Sequence, residues 1–468
     1  MPDFSNKRVL VLGLSERGAA ACGLLRRAGA EVVAADPAGP APRARAEALR
    51  AEDVRVLANA ADAAGEAIDL AVISPEVPPS LELLRELASR GVAILGELEL
   101  GLQHAKCLTI GVSGTNGKET AARMIEHMLA GDDRKVLRGG HTGCPIGLVA
   151  DQTADVDFLV FQANALQLEP ARAVAPSVAV LLNLYPDYAD RFSDHREYVR
   201  VHARLFEHQQ AFDWAIVQSE AWKELREVLP DPPAKVITFS AKDPKADLYL
   251  DRGLILSRLS NWEGPLLDTA QCRVQGPHNA ENMMAALAVG RALRLSLESM
   301  VSSLKAEEPL PHRCEIVAEL DGVQFINDSK ATNTGALQQA LQTVRSGEGG
   351  QPNIWLIAGG RERGGDFHSI GPLVSQRVKG AFLIGEAREK IRSAWSLFTP
   401  CTLADSLLEA VTEAAKCAVS GDAVLLSPAC SSLDQFQSYQ QRGERFCQIV
   451  KSISRGAAVA NPNINGSF

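Results

Sequence analysis

Short apolar runs recur along the chain, and most are followed by a stretch whose apolar residues fall at helical spacing. The first run, RVLVLG at 8–13, reads as a buried strand, and the helix after it carries Ala19, Ala20, Leu24 and Leu25 on one side. A strand at 31–35 ends in Asp36, and strand 69–74, helix 81–89 and strand 92–95 continue the alternation. Strands that alternate with helices predict a parallel sheet. GELELG at 96–101 is expected to lead into a second domain. There a strand at 108–112 opens a new alternation, with further strands at 157–161, 178–183 and 214–217. Residues 246–275 read as short antiparallel strands with turns, and 278–293 as an amphipathic helix. A third domain begins near Pro309, where EIVAEL, Asp321-Gly322 and VQFIND form a hairpin pattern. Apolar runs at 355–360, 380–385 and 423–428 complete it. The tail 454–468 is expected to be disordered. The pattern thus predicts an α/β chain of three domains, 1–97, 98–308 and 309–453.

The strongest chemical signal lies at 110–120, IGVSGTNGKET. A strand breaks into the turn Gly114-Thr115-Asn116-Gly117, reaches Lys118, and passes through Thr120 into a helix with Ala121, Met124, Ile125 and Met128 on one face. That is the layout of a phosphate cradle: glycines let backbone N–H groups turn inward, the helix N-terminus adds positive charge, and the lysine meets phosphate oxygens. The general pattern wants glycine where Val112 stands, and Ser or Thr where Glu119 stands. An ordinary strand-to-helix turn is the plainer alternative. Near the start, Asp36 lies about 20 residues past a glycine turn, as a ribose contact does in a Rossmann-like unit. Gly13 and Gly18 are spaced G-x-x-x-x-G, however, which argues against a dinucleotide site and leaves a plain strand–helix–strand turn as the alternative.

Composition narrows the class. The chain has 468 residues, 46% of them hydrophobic and 22% charged, as in ordinary globular proteins. A net charge of −9 argues against a general nucleic-acid or anionic-membrane binder. No apolar stretch reaches the ~18 residues needed to cross a bilayer, and the start has no signal-peptide layout. Nine cysteines without CxxC pairs suit reduced thiols, so a cytoplasmic location is expected.

GTNGK, the HN-x-x-N at 278–282, His312-Arg313 and DSKATN at 328–333 together resemble the muramyl ligases. LLSPACSSLDQF at 425–436 and QQRG at 440–443 resemble the branch of that family that joins D-glutamate to UDP-N-acetylmuramoyl-L-alanine. The resemblance implies Rossmann-like domains at both ends and a P-loop-type ATPase domain between them. The first would hold the UDP-substrate, the second ATP and the third the amino acid. ATP, with Mg2+, would phosphorylate the alanyl carboxylate, and the amine of D-glutamate would displace phosphate. It also implies roles. Gly114 to Lys118 and Thr120 would bind ATP phosphates, Asn279 would face the adenine, and Arg313 and Asp328 would hold the rest of the nucleotide. Lys330, Thr332, Arg363, Ser432, Leu433 and Tyr439 would form the amino-acid pocket. Arg363 replaces a lysine and can grip a carboxylate in bidentate fashion. Ser15, Arg17, Asp36, Ser74 and His141 would contact the UDP-substrate. A monomer is expected.

The phosphate and metal centre departs from the family. Gln162 stands where a magnesium-binding glutamate is usual, Tyr188 where a metal-binding histidine is usual, and His202 where a carbamoylated lysine is usual. His141 replaces an asparagine, and Glu76 and Ser15 replace glycines. Two readings stay open. In one, a working ligase has rewired its centre, with Lys118, Glu119, Gln162 and His202 catalytic and the last three as metal ligands. In the other, the chain is a pseudo-ligase, a binding or regulatory partner in cell-wall synthesis.

Overall fold

A computed structural model describes residues 4–460 apart from 40, 41, 142, 186, 188–190 and 363, with the backbone alone for 455–460. It contains three sheets. The first runs in the order Arg55–Val56, Glu31–Ala35, Arg8–Leu12, Leu70–Ile73, Ala93–Gly96, all parallel. Helices cover both faces of such a sheet, so its strands are continuous apolar runs rather than alternating ones. Val9 to Leu12 are fully buried, as are Val33, Ala34 and Ala35.

The second sheet has nine strands. Leu108–Ser113 lies inside it, between Val178–Leu181 and Phe158–Gln162, and Val136–Gly139 forms the edge beyond. On the other side follow Trp214–Gln218, Lys235–Ser240 and the antiparallel strands Leu248–Asp251, Leu254–Ser257 and Gly264–Asp268. The chain leaves Leu108–Ser113 where neighbouring strands are reached in opposite directions. Such a switch point opens a crevice at the carboxyl ends of the strands.

The third sheet begins with the hairpin Glu315–Leu320 and Val323–Asn327. Asp321 and Gly322 at its turn have φ of 50° and 77°, the left-handed pair that Asp-Gly favours. Parallel strands Ala423–Leu426, Ile354–Gly359, Val378–Ile384 and Cys401–Leu403 follow.

By compactness the chain divides into two units. One holds 1–184, 194–272 and 278–307 with the first two sheets; the other holds 185–193, 273–277 and 308–468 with the third. GELELG, expected to lead into a second domain, opens helix Glu97–His104. Glu97 and Glu99 are buried there, accepting from Gln167 Nε2 at 2.9 Å and from the Arg172 backbone N–H at 2.8 Å. Buried carboxylates need such partners, and here they tie the first sheet's last helix to the second sheet's loops. The final helix, Tyr439–Ala460, runs on past Ile453; 461–468 lie outside the described residues. Among the described residues no helix is long and apolar enough to cross a membrane.

Candidate active site

The loop after Leu108–Ser113 turns on two glycines. Gly114 has φ +130°, and a Cβ there would meet the Asn183 backbone at 3.1 Å. Gly117 has φ +89° and caps helix Lys118–Ala130; a Cβ there would lie 2.7 Å from Asn282 Oδ1. Only glycine suits both positions. The Thr115 N–H donates to Asn183 O at 3.0 Å and the Asn116 N–H to Asn183 Oδ1 at 2.9 Å, while Asn183 Nδ2 donates to Asn116 O at 3.0 Å. Both N–H groups therefore make bonds to the neighbouring strand end, rather than turning wholly into the cradle as the glycine pattern suggests. Among the described residues no side chain caps the helix's first turn, and the helix's partial positive charge lies at this end, where an anion is favoured. Lys118 Nζ lies 2.5 Å from Gly114 O and 2.9 Å from Thr115 O, curled over the loop. This fits the phosphates of a nucleotide.

Helix His195–Ala203 braces the loop from behind. Tyr198 and His202, four residues apart, share one helix face. The Tyr198 hydroxyl and Thr115 Oγ1 lie 2.9 Å apart, and His202 Nδ1 lies 2.9 Å from Ser113 Oγ. Ser113 spends its one hydroxyl proton on Ala163 O at 2.8 Å, so the imidazole carries its proton on Nδ1. Among the described residues His202 Nε2 is a buried acceptor with no hydrogen-bond partner. Burial, then the charge of Lys118, pushes His202 down to about 3, so its ring is neutral.

Glu119 stands on the first helical turn. Its Oε2 accepts from Gln162 Nε2 at 2.8 Å and its Oε1 from Arg138 Nη1 at 2.7 Å. Arg138 also turns Nε to Glu126 Oε2 at 2.5 Å. Burial pushes the Glu119 carboxyl up, but the Gln162 and Arg138 hydrogen bonds outweigh it and hold the group below the usual carboxylate range. Glu119 and Gln162 thus meet on one side of the loop. Among the described residues no three His, Cys, Asp or Glu side chains could hold a metal ion together. Magnesium prefers anionic oxygen, and here both oxygens of the one carboxylate are engaged while Gln162 and His202 are neutral. As the side chains Glu119, Gln162 and His202 stand, they do not fit a magnesium ion. Tyr188 lies outside the described residues.

Asn279 lies in the first turn of helix Pro277–Ala292, where its Oδ1 accepts from Asn282 Nδ2 at 3.2 Å. Asn282 links it to the phosphate loop through the close approach at Gly117.

In the first sheet, Ser15 Oγ and Ser74 Oγ lie 3.0 Å apart, and Asp36 accepts from the Leu14 N–H at 2.9 Å. Arg17 points its buried Nε at buried Glu97, 3.8 Å away, with no hydrogen bond from Nε among the described residues. Burial pushes the Glu97 carboxyl up, against the Gln167 hydrogen bond and the charge of Arg17. Glu76 leans over the glycine turn: its Oε1 would lie 3.1 Å from a Cβ at Gly13. His141 stands in a turn whose Gly143 N–H donates to Glu16 Oε2 at 3.1 Å, beside Ser15 and Arg17. Ser15, Arg17, Asp36 and Ser74 thus come after three neighbouring strands of the first sheet, while His141 comes after Val136–Gly139 of the second.

In the second unit, Lys330 Nζ sits 3.9 Å from the Tyr439 ring centroid, and His312 meets that ring edge-on at 6.2 Å. Asp328 accepts from Ser427 Oγ at 2.7 Å and from the Cys314 N–H at 3.2 Å. Burial pushes it up to about 7, against those hydrogen bonds and the charge of Arg313. Ser432 is buried, Thr332 is half-buried, and Leu433 is exposed. Arg363 lies outside the described residues. Arg442 is fully buried and donates to Ser329 O at 2.9 Å, Ser329 Oγ at 3.0 Å and Cys430 O at 3.2 Å. It rivets the loop carrying Asp328 and Lys330 to the loop carrying Ser432.

Several supporting residues escaped the sequence reading. Asn183 and Ser113 end apolar runs, which was their only mark. Arg138 carried no local signal, because its partners come from a distant helix and strand; Arg442 lay within the QQRG motif, but nothing local gave it a role, since its partners come from distant loops.

Comparison with known proteins agrees with this architecture. The Mur ligase middle domain matches residues 112–290, and the Mur ligase glutamate ligase domain matches 312–430. The solved pseudomurein peptide ligase type C from Methanothermus fervidus superposes with a TM-score of 0.61 at 15% identity, covering 96% of this chain and 100% of that one. The MurF ligase from Thermotoga maritima, solved in complex with ADP, gives 0.59 at 16% identity, covering 96% and 95%. These likenesses concern the fold. The UDP-N-acetylmuramoylalanine–D-glutamate ligase of Pelotomaculum thermopropionicum is 34% identical over 97% of this chain and 100% of its own length. That of Myxococcus xanthus is 34% identical over 96% and 99%. The fold and the phosphate loop are those of a Mur ligase. Within that class, the chain belongs to the UDP-N-acetylmuramoylalanine–D-glutamate ligase family.

Proposed function

We propose that the protein joins D-glutamate to UDP-N-acetylmuramoyl-L-alanine at the expense of ATP, in peptidoglycan precursor synthesis. The observation that carries this is identity of about one third, sustained through the whole length of relatives bearing that name. Residues 1–97 would take the UDP-substrate, 98–308 the ATP, and 309–453 the amino acid. Lys118 and the open helix N-terminus would hold the ATP phosphates, with Asn279 at the base and Arg313 and Asp328 on the remaining nucleotide. The alanyl carboxylate oxygen attacks the γ-phosphorus, and ADP leaves with the former bridging oxygen. The glutamate amine then attacks the acyl carbonyl, phosphate leaves, and the amine gives up its protons. Lys330, Ser432 and Arg363 would orient that amino acid by charge-assisted hydrogen bonds. No step is routed through a side-chain-held metal, because the side chains around Glu119 do not fit one.

The pseudo-ligase reading has less support, since the loop, the lysine and the amino-acid motifs are all present. The test is phosphate release by purified protein with ATP, UDP-N-acetylmuramoyl-L-alanine and D-glutamate. Release that needs all three substrates, and falls at least about a hundredfold in Lys118→Ala, is the expected outcome. Absence of turnover with every substrate present would contradict it.

A further inference from the structure

Glu119 follows the loop lysine directly, at the mouth of the phosphate cradle, yet neither of its oxygens is available. Gln162 takes one at 2.8 Å and Arg138 the other at 2.7 Å. Arg138 is fixed in turn. It sits on the edge strand Val136–Gly139, beside Phe158–Gln162, and its Nε reaches Glu126, two helical turns beyond Glu119 on the same face. All three charged side chains are mostly buried, at 19–28% exposure, so the network is screened less than a surface pair. The other groups facing this corner are the Gln162 carbonyl oxygen, a neutral acceptor, and His141, whose charge would favour the Glu119 carboxylate but which burial pushes below the usual imidazole range.

A divalent ion bound here would have to displace a guanidinium that already makes two charge-assisted hydrogen bonds. Resting on the nucleotide-binding reading above, we propose that this loop receives nucleotide phosphate without a divalent ion held by its side chains, the Arg138 guanidinium occupying on Glu119 the place a metal would take. Any magnesium then enters and leaves as part of the nucleotide's own complex. Two functions follow for Arg138. It keeps the Glu119 and Glu126 carboxylates from repelling phosphate, and it denies Glu119 to metal ions.

The test is calorimetric titration of the full-length protein with ADP, once with magnesium and once with EDTA. The expected result is a dissociation constant that differs by less than about fivefold between the two buffers. Arg138→Met releases Glu119. That variant is expected to bind ADP at least about tenfold more weakly in EDTA and to recover most of the loss with magnesium. Glu119→Ser with Gln162→Glu, which leaves a carboxylate unplugged, should acquire the same magnesium dependence and covers the case in which Arg138→Met does not fold. Tightening of the unaltered protein by fivefold or more with magnesium would overturn the proposal, as would folded variants that stay indifferent to the ion. Absence of ADP binding in either buffer would overturn the nucleotide reading itself, and this inference with it.

Discussion

Single residues set the site's two backbone and charge requirements. Gly117 holds φ +89° with no room for a Cβ against Asn282. Gly117→Ala must strain the turn and push Asn282 away, costing about 1–3 kcal/mol of local order. ADP affinity should fall at least about tenfold while the melting temperature drops only a few degrees; unchanged affinity would show that the turn is not part of the cradle. Asp328 is the second case. Its folded value of about 7 lies above its ordinary 3.8, so the folded protein holds a proton that the unfolded chain has lost in that window. The stabilising protonated form is fully present below about pH 4, and its contribution fades as pH rises towards 7. Asp328→Asn keeps a neutral side chain throughout. Relative to that variant, the native protein should therefore lose stability between pH 4 and 7, by up to about 1.4 kcal/mol per unit, in denaturant titrations. A constant gap across the window would mean that Asp328 is ionised throughout.

Elements show what the sequence could and could not convey. Strands such as Glu31–Ala35 and Ala423–Leu426 were legible because both faces are buried and no polar residue interrupts them. The Asp321-Gly322 hairpin was legible from turn chemistry alone. The burial of the GELELG glutamates was not, since their partners, Gln167 and the Arg172 backbone, come from a distant part of the chain. Glu119 was half legible. Its meeting with Gln162 follows from the loop and a neighbouring strand, whereas Arg138 depends on a register that brings Val136–Gly139 alongside. Arg442 joins two loops of the third sheet in the same non-local way. Arg442→Met would leave the carbonyls of Ser329 and Cys430 buried without donors, at about 1–3 kcal/mol each. The expected outcome is a KM for D-glutamate raised at least about tenfold, with partial recovery in Arg442→Lys. A variant that is merely less stable, with KM unaltered at low temperature, would limit Arg442 to a folding role.

At the scale of the molecule, three sheets carry three sets of candidate contacts. Of the expected UDP-substrate contacts, Ser15 and Arg17 come after Arg8–Leu12, Asp36 after Glu31–Ala35 and Ser74 after Leu70–Ile73; the phosphate loop follows Leu108–Ser113; and of the expected amino-acid contacts, Lys330 and Thr332 come after Val323–Asn327 and Ser432 and Leu433 after Ala423–Leu426. Each sits where a parallel strand ends, which is where open α/β sheets place ligands. The account joins them through one intermediate, the acyl phosphate of the alanyl carboxylate. Oxygen labelling tests that step most directly. UDP-N-acetylmuramoyl-L-alanine carrying oxygen-18 in its terminal carboxylate is incubated with ATP, D-glutamate and the protein, and the released phosphate is examined by mass spectrometry. The account predicts that each phosphate released with amide formation carries one labelled oxygen from the carboxylate. Unlabelled phosphate accompanying the amide product would contradict it.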